Sequence, residues 1–264
     1  MPMTSPKVSI ITPVFNAEET IEETIMSVKA QTYDNIEHII IDGRSTDRSL
    51  DVIRAHASSG LKIVSDPDHG IYDALNKGIA LSTGNIIGIV HSDDFLADAD
   101  AIRKIVHTFT DRRVIGVYSD LDYVSRRNPQ RIIRHWTSGH FAPGNLRRGW
   151  MPPHPTLYIR KSVYQEFGGF DTRFQVSADY DFILRFLSRT HGRVIYLPQS
   201  FYKMRSGGTS SRKLITKMKE DYFAIRRNNV GGIFTLLGKN FSKIPQFFRS
   251  RELNIEQIPQ KDKI

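Results

Sequence analysis

The chain is predicted to be an open α/β domain on a parallel sheet, and three features of the sequence predict it. Short β-branched runs recur through the first 120 residues, each is followed by a stretch with helical periodicity, and acidic residues fall just past the ends of the runs. Alternation of this kind calls for parallel strands joined by right-handed crossovers, and such sheets bind ligands at the carboxyl ends of their strands.

The elements follow in order. Lys7 to Val14 is β-branched, and Pro13 is expected to end the first strand near Thr12. Asn16-Ala17-Glu18-Glu19 sets a capping residue three positions before Glu, with Ile21, Ile25 and Val28 on one helical face. Ile36 to Ile41 is a second strand, broken at Asp42-Gly43-Arg44 and followed by a helix capped at Ser45-Thr46-Asp47 and running to about Ala57. Leu61 to Val64 is a third strand, and Ile71, Leu75 and Ile79 stripe a helix over 71–81. Asn85 to Asp94 holds an apolar run from Ile86 to Val90, too short for a lone helix, that ends in Ser92-Asp93-Asp94. A further helix with Ile102, Ile105, Val106 and Phe109 inward precedes the strand Val114 to Ser119. Beyond Asp120 the alternation weakens. Residues 121–155 read as a hairpin and long loops, Thr156 to Ile159 as a strand, Ser162 to Phe167 as a helix stopped by Gly168-Gly169, Asp179 to Ser188 as a helix, and Val194 to Leu197 as a last strand.

Composition limits the function classes. The chain has 264 residues, enough to bury a sizeable core, no Cys, and no apolar run of membrane-spanning length. Neither a signal peptide nor a thiolate metal site is expected, and a reducing cytoplasm fits. Lys and Arg outnumber Asp and Glu by 37 to 28, a surplus that suits anionic partners.

Chemistry concentrates at the strand ends. Thr12-Pro13-Val14, Asp42, Asp66, Asp68 and Asp93-Asp94 would come to one rim, where a nucleotide needs carboxylates for its base or ribose and a cation for its phosphates. Two adjacent acids repel unless a cation lies between them, and hard oxygen ligands select Mg2+ or Mn2+. The alternative for Ser92 or Asp94 is a helix N-cap without a metal.

In order, Ile11-Thr12-Pro13-Val14-Phe15-Asn16, Asp42-Gly43-Arg44-Ser45-Thr46-Asp47, the run from Asp68 to Gly78, Ser92-Asp93-Asp94, Gly168-Gly169-Phe170-Asp171 and Ala178-Asp179-Tyr180-Asp181 resemble the inverting glycosyltransferases of family 2 with the GT-A fold. The resemblance spans roughly residues 6–211 and is most similar to the branch that builds bacterial O-antigen, capsule and other exopolysaccharides. It implies a GT-A domain over 1–211, with a nucleotide-sugar half at 1–120 and an acceptor half at 121–211, followed by a helical extension at 212–264. It further implies that Asp42 binds the nucleotide base, that Thr12, Pro13, Val14 and Asn16 line that pocket, that Asp66 lies by the base or ribose, and that Asn76, Lys77 and Ser92 face the donor. Asp93, with Asp94 beside it, would hold Mn2+ or Mg2+; His91 stands where the family's D-x-D motif has its first acid. Asp179 matches the general base, although Ala178 replaces a common Glu; its other reading is a helix N-cap. Arg205 and Ser210 flank a Gly-rich stretch similar to the loop that closes over the donor phosphates, with a plain surface loop as the alternative. His154, in a Pro-flanked loop, and Asp120, with Asp122 near it, are candidates for contact with the acceptor, or else structural.

The expected partners are a nucleotide-sugar donor, UDP-linked, and a polyprenyl-diphosphate-linked saccharide acceptor at the inner leaflet. Lys213 to Arg227 and Ile233 to Phe248 interleave apolar with basic residues, which suits an anionic membrane surface; packing on the domain or on a second subunit is the alternative. A nucleic-acid binder would line its groove with cations, not Asp, and a nucleotidyltransferase would open with a Gly-rich basic loop where this chain has Pro13-Val14-Phe15-Asn16.

Overall fold

The computed structural model describes residues 5–207 and 213–241. Its centre is a nine-stranded mixed sheet in the order β3-β2-β1-β4-β8-β6-β9-β5, with β7 paired to β6. The first half is parallel, as the alternation predicts: β1 (Val8–Val14) pairs with β2 (Ile36–Asp42) and β4 (Ile86–Ile89), and β2 pairs with β3 (Leu61–Ser65). Between them run α1 (Ile21–Lys29), α2 (Ser49–Ala55) and α3 (Ile71–Leu81). Every residue of β1 is buried, which is why the strand reads as a continuous apolar run.

Two boundaries differ from expectation for physical reasons. β1 does not stop at Thr12 but carries Pro13 to the end, because β4 ends opposite Ile11 and Pro13 meets a ladder only on the β2 side. Asn16 does not cap α1. It adopts a left-handed backbone at φ 51°, and its Oδ1 accepts the Thr46 N–H at 2.8 Å, so the helix starts at Ile21. Ile71 is also turned outward; the buried face of α3 is Tyr72, Ala74, Leu75 and Gly78.

The second half crosses the sheet differently. β5 (Phe95–Leu96) pairs with the far end of β9, and α4 (Ala101–Thr108) buries Ile102, Ile105 and Val106. β6 (Val114–Val124) outruns its expected length because β9 (Arg193–Arg205) runs parallel beside it and β7 (Ile132–Trp136) folds back on it. A short α5 (Pro143–Leu146) and a 3-10 turn (His154–Thr156) lead to β8 (Tyr158–Arg160), which inserts antiparallel between β4 and β6. Next come α6 (Lys161–Phe167), ended by Gly168 at φ 80°, and α7 (Ala178–Leu187).

The C-terminal helices α8 (Leu214–Arg227) and α9 (Ile233–Phe241) pack on α7 and on the α5 segment. Thr235 Oγ1 donates to Arg147 O at 2.8 Å, and the backbone of α9 lies so close to Gly149 that a Cβ there would overlap it. Opposite charges are buried together within and between these helices. Lys239, 1% exposed, pairs with Asp221 at 2.7 Å with its ammonium 3.3 Å from the Tyr180 ring centroid, and Asp181 pairs with Arg185 at 3.4 Å. Outward, the same two helices expose Leu214, Ile215, Met218, Tyr222, Ile233, Phe234, Leu237 and Phe241. The expected continuation of the last helix to Phe248 lies outside the described residues. Among the described residues no helix is long and apolar enough to cross a membrane.

Candidate active site

Parallel packing does bring the ends of β1 to β4 to one rim, but several expected ligands are turned away from it. Thr12, Pro13 and Val14 are buried in the strand; Thr12 Oγ1 lies 2.8 Å from His38 Nε2 on β2, so these residues offer the rim only backbone. Asp42 is fully buried and its carboxylate is occupied: Ser45 Oγ donates to it at 2.5 Å and Ser65 Oγ at 2.6 Å. It lies in the floor of the rim, where these two hydroxyls fix its carboxylate. Asp66 is exposed at the rim. Gly43 next to Asp42 lies against the Asp68 carboxylate, which would have to turn aside for a Cβ there.

Along α3, the Asn76 amide does not face a donor. It donates to Phe170 O and accepts from Phe170 N–H, both at 2.8 Å, clasping α3 to the Gly168-Gly169-Phe170 loop. Lys77 donates to Pro67 O at 2.6 Å and pairs with Asp73 at 3.2 Å, bracing the loop that carries Asp66 and Asp68.

The Ser92-Asp93-Asp94 turn at the end of β4 is held on both sides. From α1, Thr20 Oγ1 donates to Ser92 O at 2.9 Å and Thr24 Oγ1 to Asp94 O at 2.7 Å. From β9, the Arg205 guanidinium donates to Asp93 O at 2.5 Å and to the Glu23 carboxylate. Arg205 is therefore no part of a mobile loop. It is a buried strand residue that fixes the turn, 5% exposed, because β9 extends to it. Ser210 lies outside the described residues.

The two acids of that turn differ. Asp94 is 1% exposed and points into the core, accepting the Arg205 N–H at 2.8 Å and the Tyr202 hydroxyl at 3.2 Å. Burial, followed by the charge of Asp93, pushes its carboxyl well above the usual range. Asp93 faces the rim with Arg126 4.0 Å away. Among the described residues no three His, Cys, Asp or Glu side chains gather as a cage for a metal ion. Of the two acids only Asp93 faces the rim, where a hard cation would find a carboxylate oxygen, while Asp94 is bonded into the core.

Opposite the rim, Asp179 occupies the first turn of α7, where the helix N-terminus favours an anion. Its Oδ1 accepts from the Tyr72 hydroxyl at 3.1 Å. Burial favours the neutral carboxyl, but His154, Lys217 and Lys239 and the Tyr180 N–H outweigh it and hold the carboxyl below its usual range. Burial also pushes His154 down to about 4, so at neutral pH the cations acting on Asp179 are the two lysines from α8 and α9. The rings of His91 and His154 lie 5.8 Å apart, and both histidines feel the Asp179 charge. His154 Nε2 is buried without a hydrogen-bond partner among the described residues. In the sequence His91 stands out only as the substitute for an acid; the structure makes it a wall of the site, its N–H bonded to the Tyr202 hydroxyl at 2.9 Å. Asp120 does not reach this centre: its Oδ1 accepts from Ser138 N–H at 2.7 Å and Tyr196 OH at 2.8 Å, while Asp122 bonds His135 at 2.6 Å.

A parallel half-sheet with an acidic rim, extended by strands that insert antiparallel and flanked by helices, is the arrangement of the GT-A fold. The fold agrees with solved structures. Mannosyltransferase PcManGT from Pyrobaculum calidifontis, in complex with GDP-Man and Mn2+, superposes with a TM-score of 0.67 at 17% identity, covering 97% of this chain and 77% of that one. TarS 1–349 of S. aureus in complex with UDP-GlcNAc gives 0.69 at 16% identity, covering 96% and 82%. The model of glycosyl transferase family 2 matches residues 9–177, and this chain belongs to that family. A PGL/p-HBAD biosynthesis glycosyltransferase of Mycobacterium tuberculosis is 30% identical over 189 residues, 70% of this chain and 72% of the relative. The chain is thus a glycosyltransferase that takes a nucleotide-sugar donor.

Proposed function

We propose that this glycosyltransferase is inverting, with Asp179 as its general base. The observation that carries this is the convergence of Asp179 with Tyr72, His91 and the unpartnered Nε2 of His154 across from the β4 turn. Asp179 takes the proton of an acceptor hydroxyl as that oxygen bonds to the anomeric carbon; the bond from that carbon to the diphosphate breaks on the opposite face, and a nucleoside diphosphate leaves. One displacement inverts the centre without a covalent intermediate. A divalent cation, Mn2+ or Mg2+, bound by Asp93 would neutralise the leaving diphosphate. In this reading His154 Nε2, buried without a partner among the described residues, hydrogen-bonds the acceptor, and the backbone at the ends of β1 and β2, with Asp66, receives the nucleoside.

The donor is proposed to be a UDP-sugar, supported by the UDP-GlcNAc complex of TarS, with the GDP-Man complex of PcManGT as the counter-example to be tested. The acceptor is proposed to be a lipid-linked saccharide of a bacterial surface polysaccharide or glycolipid, at the inner face of the cytoplasmic membrane. Two features support that placement: the apolar face exposed on α8 and α9, and the surplus of Lys and Arg, 37 against 28. In this reading residues 1–120 bind the donor, 121–211 shape the acceptor side, and 212–264 dock on the membrane.

A thermal-shift screen of UDP, GDP, dTDP and CMP and their sugars, with Mn2+ or chelator, tests the donor. Ligand at 100 times its dissociation constant stabilises the folded state by about 2.7 kcal/mol. A shift with UDP that needs the metal is expected; a shift with GDP alone overturns the UDP assignment, and equal shifts in chelator overturn the metal.

A further inference from the structure

The segment that delivers Asp179 is not capped by its own residues: Ser177, at the N-terminus of α7, makes no side-chain capping bond. A residue distant in sequence supplies the acceptors instead. The Glu220 carboxylate, projecting from α8, receives the N–H groups of Gln175 at 2.8 Å, Val176 at 2.9 Å and Ser177 at 2.9 Å. The Val176 peptide is gripped from its other side too, since the Tyr72 hydroxyl lies 2.7 Å from Val176 O and 3.1 Å from Asp179 Oδ1. A continuous set of contacts therefore runs from Glu220 through the Val176 peptide and Tyr72 to the Asp179 carboxylate. A carboxylate that accepts several backbone N–H groups is held firmly, because charge-assisted bonds are about twice as strong as neutral ones.

We propose that Glu220 is a positioning residue for the base, so that α8 is a working part of the catalytic site and not only its outer cover. The inference rests on the assignment of Asp179 as base. α8 is suited to the role: Lys217 and Asp221, beside Glu220 on the same helix, meet in an ion pair at 3.4 Å, and Asp221 in turn holds Lys239. The same helix exposes Leu214, Ile215, Met218 and Tyr222.

The test compares Glu220→Gln and Glu220→Ala with wild type and Asp179→Asn. Gln keeps the shape of the side chain but loses one acceptor oxygen, so its effect should be the smaller of the two. The rate assay follows release of nucleoside diphosphate from a panel of UDP-, GDP- and dTDP-sugars, with water or an added prenyl-diphosphate saccharide as acceptor. Expected is a fall in kcat of roughly 10- to 100-fold, the scale of a misplaced reacting group, with donor KM within about twofold. In the full-length protein, hydrogen exchange at the amides of 175–177 should speed up while β1 to β4 stay protected. Wild-type kcat in folded Glu220→Ala overturns the inference, and so does unchanged exchange at 175–177. A parallel loss of kcat, donor affinity and global protection also overturns it, because that marks general unfolding. Full activity in Asp179→Asn removes the base assignment and this inference with it. An inactive Asp179→Asn beside an unaffected Glu220→Ala removes this inference alone.

Discussion

The two halves of the sheet treat polar side chains in opposite ways. In the parallel half, Asp42, Ser45, Ser65, Asn16 and Thr46 bond to one another across neighbouring loops of the rim, and no opposite charge is buried with them. In the other half, opposite charges are buried together: Asp181 with Arg185 on α7, with the Asn228 amide donating to Asp181 from the end of α8, and Asp221 with Lys217 on α8 and with Lys239 on α9. The proposed donor side is thus built from bonds between neighbouring loops of one half-sheet, whereas the proposed base, Asp179, is held by packing that α8 and α9 contribute. Damage to the rim loops should show up as weaker nucleotide binding, and damage to α7–α9 as a slower chemical step or a less stable fold.

The sharpest way to break this contrast is at the proposed base. Asp179→Asn should lower kcat by roughly 10²- to 10⁴-fold while UDP-sugar affinity, measured by calorimetry, stays as in wild type; a parallel loss of affinity would merge the two halves into one. Next in size is the buried pair. Asp221→Asn leaves Lys239 without its 2.7 Å partner and should cost about 3–5 kcal/mol in urea denaturation. Adding Lys239→Met should recover most of that loss, and no recovery would show that the pair is not the coupling element.

The parallel half carries its own titration. Burial lowers His38 to about 3, so it is neutral in the fold, while the unfolded chain protonates it near pH 6.5. Its folded-state value is depressed, so the stability it permits is full above pH 6.5 and is lost as the pH falls below that value. The slope approaches about 1.4 kcal/mol per pH unit. His38→Gln should flatten the stability profile between pH 6 and 4, a range in which the wild-type slope is otherwise steepened. Where the halves meet, Asn76→Ala should cost about 1–3 kcal/mol by stranding the Phe170 peptide and should release α3 from the Phe170 loop. The smallest effect belongs to the outer face. Phe234→Ser, at a side chain 84% exposed, should change stability by no more than about 0.5 kcal/mol yet reduce co-sedimentation with anionic liposomes; unchanged co-sedimentation would overturn membrane docking through α9.

What was legible in the sequence follows the same division. β1 to β4, α3 and the rim could be read because buried parallel strands are uninterrupted apolar runs and turn chemistry is local. Side-chain direction could not be read. Asp42 and Asp94 look like rim ligands in sequence, but whether a strand-end carboxylate faces solvent or the core is decided by partners such as Ser65, Tyr202 and the Arg205 backbone, which lie up to 111 positions away. The length of β9 was missed because its burial is irregular and its partner β6 is distant. His91 and Glu220 had no signal of their own; a helical Glu among Lys residues resembles any solvated face.

The insertion of β8 between β4 and β6 has a consequence for biosynthesis. β1 to β4 can pair as they leave the ribosome, but one edge of β4 must wait for Tyr158–Arg160, a delay on the order of ten seconds at ordinary rates of translation. For that interval β4 would present a short, wholly apolar open edge, the kind of edge on which strands mispair. Gly88 in β4, against which the Tyr158 ring packs so closely that a Cβ would overlap it, then acts as the keyhole by which the arriving strand finds its register.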